Sequence, residues 1–179
     1  QHDIHLFKNI NTNIGIIYRN YNAKKREIEL IKIAKACRTN RNQLFISNDM
    51  KLAIKYKAAG IYIPSFNRTK GFSNLEKRNF KILGSAHNQK EIKEKFNQNC
   101  RKIFLSPIFY VKKSKTFLDL HKFNYLTYRN NINIFALGGI SEKNINKLKL
   151  LNIKGFGGIQ LFKKKPALKK AGFYKELLL

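Results

Sequence analysis

The residues that could do chemistry in this chain stand directly behind short apolar runs. Arg19 ends a run that is otherwise apolar and tyrosine-rich, a position where a guanidinium is set to meet an anion instead of solvent. Asn48 and Asp49 follow Leu44, Phe45 and Ile46. Asp49 is one of three aspartates, with Asp3 and Asp119, and a carboxylate among so many cations suits a Mg2+ ligand. It suits equally the N-cap of a helix starting at Met50. Ser85 and His87 close another run; on its own such a histidine is more commonly a hydrogen-bonding residue than a general base. Gly138 and Gly139 precede Ile140, Ser141 and a helical stretch, offering amides that no Cβ obstructs, which suits a phosphate. Gly155, Gly157 and Gly158 form a second cluster, and either cluster alone is also an ordinary tight turn.

Several chemistries have no residues to run on. Neither Cys37 nor Cys100 ends a run or forms a CxxC pair, so both read as reduced, structural thiols. No Gly-x-Ser-x-Gly elbow or pair of neighbouring carboxylates suggests acyl or glycosyl transfer. What is left is a set of cations, amides, glycines and one carboxylate, suited to holding phosphates and Mg2+ while a phosphate or pyrophosphate departs.

The elements that must position these residues alternate. Apolar, β-branched runs occupy 14–19, 43–48, 60–64, 81–85, 102–108, 133–139 and 155–161, giving seven strands. Between them, 24–37 and 50–59 have helical spacing, 91–96 has it more weakly, and 142–151 follows Ser141 as an N-cap. In the first of these helices Ile28, Ile31 and Ala34 are expected on one row beside Leu30 and Ile33. Strands alternating with helices make βα units and a parallel sheet. No GxGxxG turn or GxxxxGK[ST] loop marks an open nucleotide-binding sheet. Polar residues at the ends of several different strands instead favour a (β/α)8 TIM barrel, whose sites form on that rim. Such barrels usually need about 200 residues or more. Residues 3–10 fit a helical turn better than a strand, so the first strand is expected upstream of Gln1, absent from this chain. No linker divides residues 1–179, which read as a single domain.

The 37 Lys and Arg against 10 Asp and Glu give a formal charge of +27, which raises the question of a polyanionic partner. With 43% hydrophobic residues the chain is no solvated basic arm, and an excess of Lys, Ile and Asn matches A/T-rich coding. No RNP, KH, zinc or helix-turn-helix signature accompanies the charge, so a nucleic-acid partner is not expected. No apolar run approaches the roughly 20 residues of a membrane span. No signal peptide opens the chain either, so a cytoplasmic protein with no membrane partner is expected.

The segments IIYRNYN, LFISNDMKLA, GIYIP, LGSAHN, FLSPIF, ALGGIS and GFGGIQLF, in this order and spacing, resemble the thiamine phosphate synthases and the related TenI-type thiazole tautomerases over about residues 14–162. The resemblance implies a (β/α)8 barrel and a synthase that joins an aminopyrimidine diphosphate to a thiazole phosphate with Mg2+, releasing pyrophosphate. By position it implies that Arg19 and Asn48 hold the diphosphate, Asp49 the Mg2+, and Ser85 the departing side. Gly138, Gly139, Gly158 and Ile159 would hold the thiazole phosphate, and Lys115 is the lysine of the loop behind SPIF. Ile17 and Tyr21 replace a glutamine and a lysine of the family's first signature, a second Mg2+ carboxylate is replaced near Asn67, and the hydroxyls of the loop at 110–115 are largely lost. The TenI-like alternative, either a tautomerase using His87 as acid and base or a thiamine-related binding protein, needs no diphosphate site. A homodimer is left open.

Overall fold

The computed structural model describes residues 14–21, 25–72, 79–112, 114, 116–158, 161 and the backbone of 176–178. All seven expected strands form: β1 (Ile14–Tyr18), β2 (Gln43–Ser47), β3 (Gly60–Ile63), β4 (Lys81–Ala86), β5 (Lys102–Leu105), β6 (Asn133–Leu137) and β7 (Gly155–Gly157). Each pairs in parallel with the next. An eighth strand, β8 (Glu176–Leu178), pairs with both β7 and β1 and closes the sheet on itself. Contrary to the expectation of a strand before Gln1, the place between β7 and β1 is held by β8. The open edges of β1 and β7 need backbone partners, and residues 176–178 supply them. The expected turn at 3–10 lies outside the described residues.

Among the described residues the α-helices are α1 (Arg26–Thr39), α2 (Met50–Lys55), α3 (Gln89–Asn97) and α4 (Asp119–Tyr128). In α1 the inward row is Leu30, Ile33, Ala34 and Cys37, spaced i, i+3, i+4, i+7, which leaves the expected row members Ile28 and Ile31 exposed. Helix α4, not expected from the spacing, buries Phe123, Leu126 and Thr127. The helix expected at 142–151 is instead a 3-10 segment, Ile145–Leu150. Ser141 does not cap it: its amide is taken by Asn144 Oδ1 at 2.8 Å, while its carbonyl accepts from Asn144 and Ile145. What is described is therefore a TIM-like parallel α/β sheet.

Strand alternation sorts the core into two layers. One parity sends Leu44, Ile46, Ile61, Ile63, Ile82, Ile103, Leu105, Ile134 and Ala136 against the helices. The other sends Phe45, Tyr62, Leu83, Phe104 and Phe135 together as a separate cluster inside the sheet. Tyr62 and Phe104 have ring centroids 6.0 Å apart, and Phe104 and Phe135 5.4 Å. This plug of rings is the floor on which the rim residues stand.

Candidate active site

Two residues beyond the plug, the same parity brings Arg19 after Ile17, Ser47 after Phe45 and Ser85 after Leu83 to the C-terminal ends of their strands. Ser47 and Ser85 are buried, at 0% and 5% exposure, so these hydroxyls line the interior and not the outer surface. Arg19 is exposed, and its guanidinium lies 5.3 Å from the centroid of the Tyr62 ring. It has no ion-pair partner among the described residues. A guanidinium with no counter-ion among the described residues, at the end of the sheet where Ser47 and Ser85 lie, has the chemistry to meet an anion.

Of the two roles open to Asp49 in the sequence, the geometry displays the N-cap. Its Oδ1 accepts from the Leu52 amide at 3.0 Å and caps α2, while its Oδ2 meets Arg26 Nη1 at 3.3 Å. Arg26 was not legible as a site residue. It also donates from Nη2 to the Ser47 carbonyl at 3.1 Å and lies over the rings of Tyr18 and Tyr21. Tyr21 shares a short hydrogen bond with Ser47 Oγ and packs edge-on against Phe66. Where the resemblance expects a lysine, an aromatic side chain thus leans across the rim.

Asn48 takes a left-handed backbone (φ 58°), a conformation asparagine tolerates, and its amide donates to the Tyr62 carbonyl at 2.9 Å. Its Oδ1 accepts from Asn67 Nδ2, which joins the β2 and β3 loops. Behind Asn67 is a buried cation. Lys95 of α3 has no exposed surface; its Nζ donates to the Asn67 carbonyl at 2.6 Å and to Gln98 Oε1 at 2.8 Å. Gln98 Nε2 donates in turn to the carbonyls of Asn67 and Thr69. Burial lowers the Lys95 pKa, and this clamp fixes the loop that holds Asn48.

His87 is fixed from three sides. Its backbone N–H donates to Glu91 Oε2 at 2.8 Å, while Asn88 Oδ1 accepts from the Glu91 amide, a reciprocal cap on α3. Nδ1 lies 2.7 Å from the Ser106 carbonyl, an acceptor, so the hydrogen-bond network assigns the proton to Nδ1. Nε2 then accepts from Ser65 Oγ at 3.1 Å.

Gly138 and Gly139 have φ of 92° and 72°. A Cβ on Gly138 would lie 2.7 Å from Pro107 Cβ, and one on Gly139 would lie 2.6 Å from the carbonyl oxygens of Phe109 and Tyr110. The pair lets the loop behind β5 close on the end of β6, where Ile108 and Phe109 donate to the carbonyls of Leu137 and Gly138. Because the following segment is 3-10 and begins at Ile145, the glycines do not open an α-helix as the sequence reading had it. Gly158 follows β7 at the same end of the sheet. Lys115 and Ile159 lie outside the described residues. Cys37 and Cys100 are free and buried, and burial pushes both thiols up to about 12, in keeping with inert structural thiols. A cavity of about 410 Å3 lined by Arg101, Asn131, Asn133, Asn152 and Lys154 opens at the opposite ends of the strands and contains none of the candidate residues.

No group of three or more His, Cys, Asp or Glu able to hold a metal occurs among the described residues. Mg2+ commonly keeps only one or two carboxylates and takes the rest of its shell from water and substrate phosphates. Asp49 meets that requirement through Oδ2, whose one 3.3 Å contact to Arg26 is long and single-armed. The donor set fits a cation held largely by its substrate.

Residues 12–161 match the family described as thiamine monophosphate synthase. A thiamine-phosphate synthase of Prochlorococcus marinus subsp. pastoris is 31% identical over 142 residues, 74% of this chain and 38% of the relative. One from another strain of that species is 34% identical over 132 residues, 68% of this chain and 35% of the relative. The chain thus spans a little over a third of the length of these relatives. Among solved structures, a thiamine phosphate pyrophosphorylase from Pyrococcus furiosus superposes with a TM-score of 0.74 at 16% identity, covering 91% of this chain and 83% of that one. A structure described as native KDPGal gives 0.61 at 14%, covering 96% and 80%. At these identities the structural likeness speaks for the fold alone. The family match runs through every strand from β1 to β7 and every rim residue described above, and by it this chain belongs to the thiamine monophosphate synthase family.

Proposed function

We propose that the chain is a single (β/α)8 barrel domain over residues 1–179, a thiamine phosphate synthase that joins hydroxymethylpyrimidine diphosphate to thiazole phosphate. The observation that carries this reading is the Arg19 guanidinium, without an ion-pair partner among the described residues, at the same strand ends as the buried Ser47 and Ser85 hydroxyls, Asn48 and Asp49. The C–O bond to the diphosphate breaks with its electron pair leaving on pyrophosphate, and the thiazole nitrogen forms the new C–N bond. No protein nucleophile is required. The barrier falls because the departing charge meets fixed cations and hydroxyls in a site that need not reorganise. Arg19 and Asn48 hold the diphosphate, Ser85 its departing side, and Lys115 adds a cation. Asp49 would hold Mg2+, which supplies further neutralisation of the leaving group. Gly138, Gly139, Gly158 and Ile159 hold the thiazole phosphate. With soluble phosphorylated substrates the protein would work in the cytoplasm.

The test is turnover in the presence of Mg2+ by Arg19→Ala and Asp49→Ala beside the unaltered protein. Loss of a charge-assisted contact of about 1.5–3 kcal/mol predicts roughly a 10- to 150-fold fall for Arg19→Ala. Undiminished turnover by both variants contradicts the site. A second reading, a TenI-like tautomerase, is favoured by one observation: the His87 ring is clamped between the Ser106 carbonyl at Nδ1 and the Ser65 hydroxyl at Nε2. It predicts proton exchange on a thiazole carboxylate phosphate that disappears in His87→Ala.

A further inference from the structure

Tyr62 is 1% exposed, and its ring is built into the aromatic plug, yet its hydroxyl meets no hydrogen-bond donor or acceptor among the described residues. Buried hydroxyls in folded proteins are nearly always paired, and leaving one orphaned costs stability. The surroundings indicate what is missing. The Arg19 guanidinium lies over the same ring at 5.3 Å, itself without an ion-pair partner among the described residues. Ser85, on the adjacent strand two residues beyond the Leu83 that pairs with Tyr62, faces the phenol and pulls its pKa down, but the two do not meet in hydrogen-bond geometry. Ser47, the register partner of Tyr62 on the other side, is engaged by Tyr21. Two groups without a polar partner among the described residues, a phenol O–H and a guanidinium, thus converge at the end of the barrel where the diphosphate is proposed to sit. Burial raises the phenol pKa, so it remains a neutral donor through the working pH range.

We propose that Tyr62 is a further catalytic residue: its hydroxyl donates a hydrogen bond to an oxygen of the diphosphate leaving group, beside Arg19. This rests on the synthase reading above. The C–O bond breaks with its electron pair passing to pyrophosphate, and the Tyr62 proton is shared but not transferred, so the residue starts and ends as a neutral phenol. The hydroxyl that is orphaned without substrate gains its acceptor with it, and the interaction strengthens as charge develops on the leaving oxygen.

The test is Tyr62→Phe, which keeps the ring and so the plug, titrated calorimetrically with inorganic pyrophosphate in the presence of Mg2+ and followed by thermal unfolding. The expected result is a melting temperature of the ligand-free variant equal to or above that of the unaltered protein, with pyrophosphate bound about tenfold more weakly. In the synthase assay kcat falls by a similar factor or more while KM for thiazole phosphate is unchanged. A merely structural tyrosine would lower the melting temperature and leave the pyrophosphate affinity alone. Equal pyrophosphate affinity in the variant and the unaltered protein overturns the role of Tyr62 and leaves the synthase reading standing. An unaltered protein that binds no pyrophosphate overturns both.

Discussion

Replacing Gly139 by alanine separates two physical costs that usually come mixed. The residue has φ 72°, where an alanine gives up about 1 kcal/mol or somewhat more through contact of its Cβ with its own backbone. In addition, the new Cβ would stand 2.6 Å from the carbonyl oxygens of Phe109 and Tyr110, and neither can rotate away because both are main chain. Room can come only from moving residues 107–110, whose amides at Ile108 and Phe109 bond the ends of β6, so one or two such bonds at about 1 kcal/mol each are put at risk. The sum is about 2–4 kcal/mol. Gly71→Ala is the matched control: φ is 109° but nothing lies within 4 Å of a new Cβ, so only the backbone cost of about 1 kcal/mol applies. Equilibrium urea unfolding measures both, with the midpoint converted through a common m-value. The difference, about 1–3 kcal/mol, isolates the close approach of the two loops. Equal losses in the two variants would refute it, and with it the claim that the glycines exist here to let the loop behind β5 close.

Lys95→Met keeps the aliphatic volume of the buried side chain but removes the donor to the Asn67 carbonyl; the Asn48 to Asn67 contact should loosen and KM for the diphosphate substrate rise severalfold. Lys95→Ala, which opens a cavity as well, should in addition cost about 2–4 kcal/mol in urea unfolding. Stability should also fall at alkaline pH. The buried thiols Cys37 and Cys100 and the Tyr18 hydroxyl all titrate near 12 when folded, above the usual 9 and 10. The folded state therefore binds more protons than the unfolded chain between about pH 9 and 12. Their contribution is complete below pH 9 and is lost as pH rises through that window. Urea midpoints at pH 8, 9.5 and 10.5 check it; a midpoint that rises across this series would contradict the burial of these groups.

Strand content was legible because seven β-branched runs are long enough to show a period of two, and their parity alone separates the plug of Phe45, Leu83 and Phe104 from the outward isoleucines. Helix α4 was harder to see: Phe123 and Leu126 stand among His121, Asn124 and Tyr125, which hide the apolar row. The 3-10 turn at 145–150 replaces a helix because Asn144, not Ser141, ties down the chain ahead of it. Among the candidate site residues, Arg19, Asp49, Ser85 and His87 were legible because they stand at or just behind the ends of strands. Their surroundings were not: Arg26 beside Asp49, Ser65 beside His87, and Lys95 behind Asn67 and Asn48 come from neighbouring βα units, and only the pairing of adjacent strands brings them together. The charge of +27 likewise carries little information about the site. What singles out Arg19 is its lack of a counter-ion among the described residues, which composition cannot show.

The central claim is that this rim expels pyrophosphate while the thiazole nitrogen takes its place. The direct measurement follows thiamine phosphate and pyrophosphate together after mixing hydroxymethylpyrimidine diphosphate, thiazole phosphate, Mg2+ and the protein. Equimolar appearance of the two products, suppressed when Mg2+ is chelated, is the predicted result. Consumption of neither substrate by folded protein, with His87-dependent proton exchange on a thiazole carboxylate phosphate in its place, would contradict it.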